Sequence, residues 1–183
     1  EKVGELLKDK VKKECYSAYR DLDFGNFYKD KSLDGYANGY EIQAKEEMDH
    51  AMMMVRYLQD NEHKVVLEAI DKPAHLLDKL DDPLRAGLEH ERYVTSLIHA
   101  IYDAAYEIKD FRTMRFLDWF VEEQGEEEKN AADMISRYDL FGHDPKGLYE
   151  LDNEYKSRTY SPASNTQEEM RPSGRIFLRY RFL

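Results

Sequence analysis

Tyr36-Ala-Asn-Gly-Tyr-Glu-Ile-Gln-Ala-Lys-Glu-Glu-Met-Asp-His-Ala-Met-Met-Met54 decides the fold. Tyr36, Tyr40, Gln43, Glu47, His50 and Met54 recur at spacings of three and four, so they share one side of an α-helix. That side is apolar at both ends and carries an acid and a histidine in its middle. Outward from it, no proline precedes Pro73 and none lies between Pro83 and Pro145, which leaves long uninterrupted helical stretches. The pattern predicts helices over about 3–29, 36–60, 84–108 and 113–140, with 31–35 as a turn and 63–82 as a long connection. Asp82-Pro83 and Asp144-Pro145 each read as an N-cap followed by proline in the first turn, the second opening a short fifth helix to about residue 158. Helices of roughly 25 residues are each about 37 Å long. Four of them with one long crossover describe an all-α four-helix bundle.

The other helices repeat the interrupted stripe. Leu7, Val11, Glu14 and Ala18 line the first helix. Leu84, Leu88, Glu91, Thr95 and Ile98 line the third, and Phe116, Phe120, Gln124, Glu127, Ala131 and Met134 the fourth. Each stripe places one carboxylate in a core, at several kcal/mol apiece unless it is paired or protonated. A polyvalent cation removes that objection, and carboxylates with one imidazole suit iron, manganese or zinc. Glu47-x-x-His50 alone is a common pattern whose bland account is a solvated acid beside a half-buried histidine. The core acid on each of three other helices tips the balance to metal.

Composition narrows the function. With 27 basic and 38 acidic residues the net charge is −11, which opposes non-specific binding to nucleic acid and favours cations. The run Tyr93 to Tyr102 is the longest without Asp, Glu, Lys or Arg, far short of the roughly 20 apolar residues that cross a bilayer. Cys15 is the one cysteine, so no internal disulfide forms and a cytoplasmic, reducing setting is the default expectation. The opening Glu1 in place of Met suggests preceding residues.

Glu14-Cys-Tyr-Ser-Ala18, Gln43-Ala-Lys-Glu-Glu-Met-Asp-His50, His90-Glu91-Arg92, Trp119-Phe-Val-Glu-Glu-Gln-Gly-Glu-Glu-Glu-Lys129 and Gly147-Leu-Tyr-Glu-Leu-Asp152 together resemble bacterial non-haem ferritin. The inward glutamates with Glu-x-x-His are the general feature of di-iron carboxylate bundles. The likeness spans about 3–158 and implies a ferritin-like domain over 1–158. It implies a ferroxidase centre in which Glu14, Glu47 and His50 hold the first iron. Glu47 would bridge to a second iron held with Glu91 and Glu127, with Gln124 close by. A third iron position would fall on Glu46, Glu123, Glu126 and Glu127. The resemblance further implies a homo-oligomeric 24-subunit shell that takes Fe(II) with O2 or H2O2 and stores ferric mineral. The alternatives are a related di-iron oxidase or peroxide scavenger without storage, and an inactive bundle. Asn130 stands where a second Glu-x-x-His would end, so the haem-binding and rubrerythrin-like relatives fit less well, no haem is expected, and Met48 reads as packing.

Two regions depart from the resemblance. Seven residues after Glu14 the family usually has a tyrosine credited with supplying an electron, and here Asp21 stands there. Asp cannot be oxidised like a phenol, so Asp21 is expected to leave iron binding intact and either to slow oxidation or to release more peroxide, its carboxylate instead attracting Fe(II) or pairing with Arg20. Residues 159–183 form an extension of other character, with Arg171, Arg175, Arg179 and Arg181 against Glu168 and Glu169. A disordered extension is the favoured account and a dock onto the acidic body the alternative.

Overall fold

The computed structural model describes residues 1–163. Five helices succeed one another: α1 Lys2–Asp30, α2 Asp34–Asp60, α3 Asp82–Glu107, α4 Phe111–Phe141 and α5 Pro145–Lys156. Helix α1 packs along α2 and α3 along α4, and α5 lies across α2 and α4. No strand occurs among the described residues.

Three of the long helices end the same way, without glycine. Ser32, Glu62 and Lys109 adopt left-handed φ values of 59°, 63° and 56°. Behind each, a doubled bond closes the helix. Leu33 N–H donates to the Tyr28 carbonyl and Ser32 N–H to that of Lys29; His63 and Glu62 repeat the pair on Leu58 and Gln59, and Asp110 and Lys109 on Ala105 and Tyr106. This is the Schellman ending. A side chain in that region costs roughly 1 kcal/mol or more, which these paired bonds help to offset. The first turn is shorter than the sequence suggests, because Asp34 and Gly35 already belong to α2.

The start of α2 explains this. Its N-cap residue, Leu33, has no side-chain acceptor. Buried Asp152 of α5 supplies one instead, its Oδ1 accepting from Gly35 N–H at 2.8 Å and Tyr36 N–H at 3.0 Å. The helices approach so closely that a Cβ on Gly35 would sit 1.7 Å from the Asp152 carbonyl oxygen. Asp144 caps α5 as its sequence suggests, accepting from Gly147 N–H at 2.8 Å. Asp82 does not cap α3. Its carboxylate turns back to accept from Asp78 and Lys79 N–H at 2.8 and 2.7 Å, which fastens the end of the 61–81 connection.

The apolar interior has two compartments. One holds Leu7, Val11, Met54, Leu58, Ile98 and Phe120. The other is aromatic: Phe24, Tyr28, Tyr36, Tyr40, Tyr138 and Tyr155, with Tyr28 stacked on Tyr36 and Tyr40. Between them along the stripes lies a belt of buried polar side chains. After α5, Tyr160 Oη and Ala163 N–H donate to Asp49 Oδ2 at 2.7 and 3.0 Å, laying 159–163 against α2. The remainder of the basic extension lies outside the described residues.

Candidate metal centre

The belt is assembled from four helices. Helix α1 places Lys10, Glu14, Ser17 and Asp21 on its inner face, α2 Gln43, Glu47 and His50, α3 Glu91, and α4 Gln124 and Glu127. All but Gln43 are buried, Glu14 and Asp21 to 1% exposure or less. Ligand atoms of Glu14, Glu47 and His50 lie within 4.8 Å of one another, and so do those of His50, Glu123 and Glu127. Glu47 Oε2 is 3.4 Å from His50 Nδ1, leaving Nε2 buried with no protein partner. Trp119 and Phe120 stand edge-on to that imidazole, with centroids 5.5 and 6.0 Å away, which fixes the ring.

Glu91 sits across the centre and is held from two sides. Gln124 Nε2 donates to its Oε2 at 2.8 Å, and Arg20 Nη2 lies 3.8 Å from its Oε1. Gln43 Nε2 donates to Glu127 Oε2 at 2.8 Å. Of the residues assigned to a third position, Glu123 reaches the centre, Glu46 is paired with Arg158 at 2.6 Å, and Glu126 is exposed. Glu128 accepts from Thr95 Oγ1 on α3 instead.

The electrostatics are those of crowded acids in a dry interior. Burial, with the charges of Glu14 and Glu91, pushes the Glu47 carboxyl well above the usual range. Burial, with Glu91, Glu46 and Glu123, does the same to Glu127. Glu91 is also raised by burial, although Arg20 and Gln124 oppose it. Glu14 is the exception. Burial raises it, but the Lys10 ammonium and His50 overcome that and hold it below its ordinary value. Of the two neighbours, Glu47 is thus the one that favours its proton and Glu14 the one that favours its charge. An entering cation exchanges for these protons, as metals do at acid ligands.

Two cationic partners, Lys10 and Arg158, lie outside the sequence reading of the centre, and a third, Arg20, pairs with Asp21 as the sequence suggests. Lys10 forms a fully buried ion pair with Glu14. Arg20, 1% exposed, donates from Nε and Nη2 to Asp21 Oδ1 at 3.1 and 2.6 Å, so Asp21 is an ion-pair acceptor. Arg158 follows α5 and reaches Glu46 and Gln43. Lys10 was readable, since it stands one turn before Glu14 on the same stripe. Arg158 carries no local signal, because only the packing of α5 brings it near α2. Ser17 Oγ lies 2.6 Å from His90 Nε2, and burial followed by Arg20 and Lys10 lowers that imidazole to about 2, so it stays neutral.

A family model described as a ferritin-like domain matches residues 4–141. A probable bacterial non-heme ferritin-like protein of Haemophilus influenzae is 33% identical over 84% of this chain and 93% of its own length. A bacterial non-heme ferritin of Campylobacter jejuni is 32% identical over 85% and 93%. Among solved structures, the open-pore ferritin of Archaeoglobus fulgidus superposes with a TM-score of 0.85 at 35% identity, covering 87% of this chain and 98% of that one. An engineered closed form of the same protein gives 0.86, also at 35%, over 88% and 98%. On the five-helix fold and these matches together, the chain belongs to the ferritin family.

Proposed function

We infer that the protein is an iron-storage ferritin that oxidises Fe(II) at a di-iron centre inside each subunit. The observation that carries this reading is the convergence of buried Glu14, Glu47 and Glu127 on His50, whose Nε2 has no protein partner, with buried Glu91 of α3 beside Glu47 and Glu127. Acids pushed towards their protonated form by burial and mutual repulsion gain most from a hard divalent cation. Glu14, Glu47 and His50 hold one iron, and Glu47 reaches a second beside Glu91 and Glu127. Gln43 and Gln124 keep those last two carboxylates oriented by donating to them. Glu123, near both His50 and Glu127, offers a third position.

Two Fe(II) ions give up one electron each. With dioxygen the balance is 2 Fe2+ + O2 + 2 H+ → 2 Fe3+ + H2O2. Two adjacent metals stabilise charge on both oxygens as it develops. Lys10 must leave Glu14 for the first iron to gain both carboxylate oxygens, so the chain supplies its own counter-ion when iron is absent. The ferric product passes to the cavity of a 24-subunit homo-oligomeric shell, and the net charge of −11 draws Fe(II) towards it. A reducing cytoplasm suits both Fe(II) and the lone thiol of Cys15. Anaerobic Fe(II) titration followed by mixing with oxygenated buffer tests the centre, and particle size with mineral imaging tests the store. Fast oxidation of about two irons per chain is expected, and neither Fe(II) binding nor oxidation above the rate of buffer alone would overturn the reading.

A further inference from the structure

A cavity of about 50 Å3 adjoins the centre on the side of α5. Its walls include Arg20, Asp21, Gln43, Glu91, Glu127 and Asn130, so two of the proposed iron ligands face it directly. The space exists partly because Gly87 of α3 stands opposite Tyr40: a Cβ there would meet only the Tyr40 hydroxyl oxygen, at 3.6 Å. One water needs roughly 10–15 Å3 of such volume, so there is room for a small polar molecule.

The two acting groups are incompletely satisfied. Arg20 spends Nε and Nη2 on a single oxygen of Asp21, leaving its Nη1 and Asp21 Oδ2 buried with no hydrogen-bond partner among the described residues. An unmet buried donor or acceptor costs about 1–3 kcal/mol. A guest that accepts from Arg20 and donates to Asp21 meets both. An anion is disfavoured, since Asp21, Glu91 and Glu127 face it against Arg20 and Arg158. Dioxygen has no hydrogen to donate. Water and hydrogen peroxide both donate and accept, and of the two only peroxide can take electrons from a neighbouring pair of reducing metals.

We propose that this cavity binds hydrogen peroxide next to the iron pair, held between Arg20 Nη1 and Asp21 Oδ2. The proposal rests on the ferroxidase reading above. Two Fe(II) ions each give one electron, the O–O bond breaks, and two protons taken up from the bulk buffer complete the balance: 2 Fe2+ + H2O2 + 2 H+ → 2 Fe3+ + 2 H2O. Arg20 stabilises negative charge developing on the departing oxygen, and Asp21 orients the O–H. Peroxide arrives from solvent or is made at the centre from dioxygen. In the second case the cavity retains it, which reverses the sequence expectation that Asp21 increases peroxide release.

The test uses the full-length assembled protein loaded anaerobically with Fe(II) and mixed with H2O2 or with O2 at equal concentration. The H2O2 arm should saturate and run at least about tenfold faster than the O2 arm, a difference of about 1.4 kcal/mol in barrier. Little peroxide should be trapped in the O2 arm. Arg20→Gln/Asp21→Asn removes the ion pair together and leaves Glu91 held by Gln124 alone. Gly87→Ala narrows the cavity without a clash and serves if the double variant fails to fold. Each should abolish saturation by H2O2 and lower the rate ratio at least about tenfold. If wild type oxidises Fe(II) without saturation or preference for H2O2, or if Gly87→Ala keeps both, the cavity holds water only and the proposal is overturned. If wild type oxidises Fe(II) with neither oxidant and binds no Co(II), the ferroxidase reading falls and this proposal with it.

Discussion

Glu47→Gln should stabilise the iron-free protein while abolishing its activity. Glu47 is 3% exposed and faces Glu14 and Glu91, and both burial and those neighbours raise its proton affinity. A carboxyl whose folded pKa exceeds its ordinary 4.5 carries no penalty while protonated in both states. The penalty grows as pH rises above that value and is complete beyond the folded pKa. Wild type stripped of metal should therefore lose stability from about pH 5 upward. Glutamine keeps the volume and removes the charge. Replacing buried charge by a neutral group of similar size has been worth about 1–4 kcal/mol. In a chain of this length each kcal/mol moves Tm by roughly 2–4 °C. Scanning calorimetry after chelation should thus show the variant melting at least about 2 °C higher at about pH 8, with the gain shrinking towards about pH 5. In the same variant Fe(II) oxidation should fall at least about 100-fold, the upper end of what partners of metal ligands cost. A variant less stable than wild type at the alkaline end, or a gain that ignores pH, would refute the account of a repulsive metal-free centre.

Lys10→Met leaves Glu14 buried without its ammonium and should cost the chelated protein about 3–5 kcal/mol; Zn(II) should recover most of that loss, as read by thermal shift with and without the ion. Asp152→Ala removes the acceptor for Gly35 and Tyr36 N–H and should cost about 1–3 kcal/mol, measured by urea midpoint. Deleting 160–183 removes the contacts to Asp49 but no centre residue, so size exclusion should show an intact assembly and oxidation should stay within about twofold.

The helices and the buried acids were legible for one reason: both obey the same period. A carboxylate interrupting an apolar stripe is visible wherever the stripe is, which is why Glu14, Glu47, Glu91 and Glu127 could be named from spacing. The helix ends at Ser32, Glu62 and Lys109 were not, because glycine is the usual mark of that ending and none of them is glycine. Asp82 looked like a cap because it precedes a proline, yet the incoming chain at Asp78 and Lys79 competes for its oxygens. The buried cations were the larger omission. Lysine and arginine default to solvent in any pattern argument. Glu14 and Asp21 on the same helix give Lys10 and Arg20 their cause to stay inside, whereas only the packing of α5 brings Arg158 to Glu46 and Gln43.

The polar belt between the two apolar compartments divides the bundle's cooperativity. Leu7, Val11, Leu58 and Phe120 form one apolar cluster and Phe24, Tyr28 and Tyr36 another, and the layer between them holds the Lys10–Glu14 ion pair and the Gln124–Glu91 hydrogen bond. Such a molecule has two natural units of local opening, and their seam is the candidate metal centre. An ion gripped by four helices ties both units together, since its binding energy is lost when either one opens. On the proposed function, loading the centre would act as a rivet through the waist of the bundle, firmest when the ion is in place.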